Sequence, residues 1–97
     1  MDSISTQIDL LKTNIQFESV CEQIKILNLR LERLQTRYSR AERAQNARAR
    51  YALRLQLSST EGVRNMFVEY ATRKADELIT LQCQLYGDVD MQHVSDY

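Results

Sequence analysis

The sequence predicts an all-α fold, either a long antiparallel helical hairpin or a slender three-helix bundle, with coiled-coil character. Three observations carry this. Phe17, Val20, Ile24, Leu27, Leu31, Leu34, Tyr38 and Ala41 recur at alternating spacings of three and four. A helix with such a seam must bury it against another helix. Proline is absent and glycine occurs only at positions 62 and 87, while Ala, Leu, Arg, Gln and Glu abound, a composition that suits long helices and not sheets. At 97 residues, the chain is one domain at most, with a limited core.

Residues 1–87 are therefore expected to form a single helical coiled-coil hairpin domain, followed by an acidic flexible tail over 88–97. Helix is predicted from about Ser3 to Leu57. Its first stretch carries a second stripe, Ile4, Ile8, Leu11 and Ile15, which is out of phase with the seam that starts at Phe17. Ser19 and Glu22 have capping-box spacing, so a break near Gln16–Ser19 is one alternative. A stronger punctuation is Leu57-Ser-Ser-Thr-Glu-Gly62, with Ser58 and Glu61 at capping-box spacing. Carrying the seam onward would select Ser59, Gly62 and Glu69, so the chain is expected to turn at Ser58–Thr60. The second arm then runs from about Thr60 to Tyr86, with Val63, Met66, Phe67, Tyr70, Ala71, Ala75, Leu78, Leu81 and Leu85 as its apolar stripe. Gly87 is its stop.

A turn at Ser58–Thr60 pairs residues whose numbers sum to about 118. Leu55 meets Val63, Ala41 meets Leu78, and Leu34 meets Leu85. The charge pattern suits this register. The net charge is zero, but residues 1–22 hold −3, residues 25–54 hold +7 and residues from 61 onward hold −4. Arg50 would lie near Glu69, Glu42 near Lys74, and Arg43 near Asp76 and Glu77. Residues 3–30 would then overhang the hairpin by roughly 40 Å. Such an apolar overhang must be covered by a third helix, a second copy or another protein.

The functional expectation is accordingly a non-enzymatic protein–protein interaction module, an adaptor or small subunit of a larger assembly. Its partner-binding residues would be Ile8, Leu11, Ile15, Phe17, Val20, Ile24 and Leu27, filling a groove on a second copy or on a different protein as a homo- or hetero-oligomer. The alternative is a nucleic-acid-binding helical protein that uses the stripe Arg30, Arg33, Arg37, Arg40, Arg43, Arg48, Arg50 and Arg54. Within it, Asn46-Ala-Arg-Ala49 with Arg54 resembles the N-x-x-A…R core of a basic-zipper DNA reader. Arg50 and Leu53 depart from that pattern, which has Ala and then Cys or Ser there.

No residue set supports catalysis, a cofactor or a metal. Asp76-Glu77 and Asp88/Asp90 are paired by sequence alone, with no nucleophile beside them. His93 stands alone on the tail. Cys21 and Cys83 are too few and too far apart for a disulfide framework or a zinc site. The opening MDSISTQIDLL carries an acid where a secretion signal needs bases, and no apolar run is long enough for a membrane span. An intracellular location, cytoplasm or nucleus, is expected.

Overall fold

The computed structural model describes residues 3–87. They form an antiparallel helical hairpin of two nearly equal arms, α1 (Ser3–Arg43) and α2 (Ala47–Tyr86). The rod is 63 Å long. There is no third helix among the described residues, so the three-helix alternative falls away, and the tail with His93 lies outside them.

The turn is Ala44-Gln45-Asn46, not Ser58–Thr60. Three backbone bonds close α1. The Asn46 N–H donates to the Ala41 carbonyl (2.9 Å), the Gln45 N–H to Glu42 (3.1 Å), and the Ala44 N–H to Arg40 (2.9 Å). The first two make a Schellman motif, with Gln45 in the left-handed region at φ 56. Asn46 then caps α2, its side-chain oxygen accepting from the Ala49 N–H at 3.1 Å. The residue matching the asparagine of the basic-zipper pattern is thus a helix cap in a tight turn.

Moving the turn changes the register. Arg54 bonds Tyr38 and Arg64 bonds Asn28, so facing residues have numbers that sum to about 91. The expected pairing at 118 is overturned, and with it the overhang: residues 3–30 lie along α2 instead of projecting past it. The physical reason is burial. A turn at 44–46 lets one arm cover the other along its whole length, whereas a turn at 58–60 leaves the first third of the chain bare.

In α1 the buried positions are Thr6, Thr13, Val20, Leu27, Leu34 and Ala41, one every seven residues. Leu10, Phe17, Ile24, Leu31 and Tyr38 interleave them as half-buried residues. The heptad seam therefore runs unbroken through Gln16–Ser19, with no kink, and continues toward the N-terminus through two threonines and Leu10. In α2 the matching seam is Arg50, Leu53, Leu57, Thr60, Arg64, Phe67, Ala71, Lys74, Leu78, Leu81 and Leu85. Ser58, Ser59 and Gly62 sit in the helix interior but on its exposed sides. They lower helix propensity and touch no core, so they are tolerated. The tightest packing lies near the turn, where Leu34, Ala41 and Leu53 cluster with Tyr38, Ala49 and Leu57.

Candidate interaction surfaces

The fold splits the expected partner-binding residues into two groups. Phe17, Val20, Ile24 and Leu27 belong to the intrachain seam, where Val20 and Leu27 are buried and the other two half-buried. Their place is in the contact between the two arms of the chain itself. Ile8, Leu11 and Ile15 remain outside, together with Ile4, at 47% to 66% exposure. These four follow the spacing 4, 3, 4 on the outer side of α1, with Leu11 at the rim of the groove it shares with Leu78 and Leu85 of α2. The N-terminal third of α1 thus presents a mixed face, Thr6, Leu10 and Thr13, to the hairpin and an aliphatic one to the outside. The seam that contacts α2 there contains Thr6 and Thr13, while the larger aliphatics stay outside.

The second surface is electrostatic. Folding at 44–46 lays the basic half of α1 beside the basic start of α2. The charge blocks do not pair across the arms as expected; like charges are gathered instead. The closed end of the rod carries the arginines, and the open end carries acids, with Asp9, Asp76 and Glu77 lining one groove beside Thr13 and Thr80. Lys74 bonds Glu77 on its own helix at 2.9 Å rather than Glu42. The other ion pair among the described residues, Lys25–Glu22, is also within one helix. The Lys25–Glu22 pair is exposed and adds little, whereas the Lys74 side chain is largely covered.

The eight arginines divide by position. Arg30, Arg33 and Arg37 line a groove of about 560 Å³ with Leu34 on α1 and Leu55, Gln56, Ser59 and Thr60 on α2. Arg40 continues the same face at helical spacing. Arg43 and Arg48 flank the turn. Arg50 enters the seam half-buried, its Nε shielded from solvent without a hydrogen-bond partner. Arg54 donates to the Tyr38 hydroxyl at 3.0 Å, with its guanidinium 6.0 Å from the ring centre. That bond, helped by the charge of Glu42, raises the Arg54 pKa further above its already high value.

Two further cations occupy seam positions of α2. Arg64 reaches Asn28 at 3.3 Å and Asn65 at 3.1 Å, leaving its Nε shielded and unpartnered. Lys74 lies 5.3 Å from the Tyr70 ring centre, and its pKa is raised chiefly by the bond to Glu77. Neither was read as a seam residue from the sequence. The signal was there: both fall in phase with Leu53, Leu57 and Phe67 once counting restarts after Asn46 instead of continuing from Ala41.

Cys21 and Cys83 are free thiols. No group of three or more His, Cys, Asp or Glu among the described residues is placed to hold a metal ion. No described helix is long and apolar enough to cross a membrane. No family model, curated protein or solved structure matches the chain.

Proposed function

We propose that the chain is a helical protein–protein interaction module, an adaptor or small subunit of a larger assembly, docking through the outer face of α1. The observation that carries this is the open stripe Ile4, Ile8, Leu11 and Ile15. Four aliphatics at helical spacing on one exposed face fit a groove between other helices, with i, i+4, i+7 anchors. Burial points the same way: among the described residues no side chain is fully buried. Two helices make one layer, and a layer needs a second to enclose a core.

The test is Ile8→Asp, Leu11→Asp and Ile15→Asp together, read by sedimentation equilibrium. All three side chains are exposed, Ile8 and Ile15 on the outer face and Leu11 at the rim of the groove with α2, so the hairpin should stay helical by circular dichroism. The wild type is expected to sediment above 11.4 kDa, alone or mixed with its partner, and the variant at the monomer mass. Identical masses for wild type and variant, in both settings, would refute the reading.

A further inference from the structure

We infer that the groove between α1 and α2 near the closed end is a binding site for the phosphate backbone of single-stranded nucleic acid. Its anion-facing residues are Arg30, Arg33 and Arg37, with Ser59 and Thr60 as hydroxyl donors on the opposite wall. This site is separate from the apolar stripe, which lies at the other end of the rod, and it does not depend on the interaction reading above.

Three features carry the inference. The first is charge without compensation. None of the residues lining the groove is acidic, and neither ion pair among the described residues uses an arginine. Three guanidinium groups crowded along about 10 Å of one helix face repel one another. An arrangement that costs energy in the free protein is relieved by a bound polyanion, which also releases its condensed counterions.

The second feature is the type of base. All three are arginine, whose planar fork matches phosphate oxygens two at a time. Ser59 and Thr60 face them across the groove and extend the donor set beyond charge. The helix interior position of these hydroxyls, weak for helix formation, thus has a use. The expected turn at Ser58–Thr60 would have placed them at a hairpin tip, well away from the arginines.

The third feature favours a single strand over other polyanions. A membrane surface calls for a broad apolar face beside the bases; the groove itself holds one exposed large apolar residue, Leu55, with Ile26 and Leu29 exposed a turn away on α1, and the Ile4–Ile15 stripe lies at the acidic end of the rod. A duplex is too broad for a groove walled by two helices whose axes lie about 10 Å apart. A single strand fits, laid along the arginines. The groove contains no aromatic side chain on which bases could stack, so recognition is of backbone and not of sequence.

Fluorescence anisotropy of a labelled oligo-uridine strand with the full chain tests this. Affinity should fall about 20- to 50-fold between 50 and 200 mM salt, the fall for three to four neutralised phosphates on a single strand. Replacing Arg30, Arg33 and Arg37 by Gln should weaken binding at least tenfold at low salt. Removing three charges elsewhere, by Lys25→Gln, Arg43→Gln and Arg48→Gln, should weaken it less than threefold. Both variants alter exposed side chains, and circular dichroism checks that each remains helical. Replacing the three groove arginines by Lys keeps the charge and the helix. It should retain the salt slope but lose several-fold in affinity, because the forked contacts are gone. Four results would overturn the inference: no binding at 50 mM salt, equal losses in the two Gln variants, an unchanged affinity in the Lys variant, or tighter binding to a duplex or to anionic vesicles than to the single strand.

Discussion

Replacing Ser58 and Gly62 by Ala distinguishes the observed hairpin from the one that local sequence signals favour, because the sign of the effect reverses. Both residues lie in the interior of α2 on exposed positions. A Cβ built on Gly62 meets no atom within 4 Å, so nothing opposes the added methyl group. In a helix interior, Gly→Ala contributes about 0.8–1 kcal/mol and Ser→Ala about 0.5 kcal/mol, together roughly 1.4 kcal/mol. For a domain of this size that raises Tm by about 6–10 °C. If the chain turned at Ser58–Thr60 instead, Ser58 would be the cap of the second helix, and its loss would cost about 1 kcal/mol. The assay is thermal unfolding by circular dichroism at fixed protein concentration, since any assembly makes Tm depend on concentration. A Tm that falls, or a helical signal that drops, refutes a continuous α2 and with it the register on which both candidate surfaces depend.

Three other outcomes follow from the same packing. Spin labels at Ser19 and Arg73, which line one groove, should sit within roughly two helix diameters when Cys21 and Cys83 are replaced by Ala; the register of the expected turn would separate them by about 39 Å along the rod. Gln45→Gly should stabilise the turn by about 1 kcal/mol by relieving the left-handed backbone, and Asn46→Ala should destabilise it by about the same amount by uncapping α2, both read by urea unfolding. Arg64→Leu should stabilise the hairpin by on the order of 1 kcal/mol, read as a higher urea midpoint, because a seam cation with a shielded, unpartnered Nε is replaced by an apolar side chain; a lower midpoint would mean that the bonds to Asn28 and Asn65 outweigh burial.

The seam cations also explain how a repetitive rod chooses one alignment. Leu, Ile and Val interchange readily along a heptad, so an apolar seam alone permits slippage. Arg64 in the seam bonds Asn28, and Arg54, exposed beside the seam, bonds Tyr38; a shift of one heptad would break both. Polar seam residues cost stability and specify register. Thr6, Thr13 and Thr60 add further weak layers, which agrees with the absence of any fully buried side chain among the described residues.

Much of the secondary structure was legible in the chain. The absence of proline, the abundance of helix formers and the spacing of Phe17 through Ala41 determine two long helices, and Gly87, at φ 81, closes α2 as its position suggests. The phase difference between Ile4–Ile15 and Val20–Leu27 was legible too, but not that it sends the first set outward and the second into the hairpin. The turn was not legible. The left-handed position of the Schellman motif is held by Gln45, which advertises nothing, whereas Ser58, Ser59 and Gly62 display every local mark of a break and form none. Local signals cost or contribute about 1 kcal/mol each. Covering residues 3–30 with α2 removes far more apolar surface from water than that, so tertiary burial overrides them. Everything that depends on the turn was therefore decided only in three dimensions. That includes which aliphatics are core and which are surface, which arginines share a groove, and why like charges gather at each end of the rod.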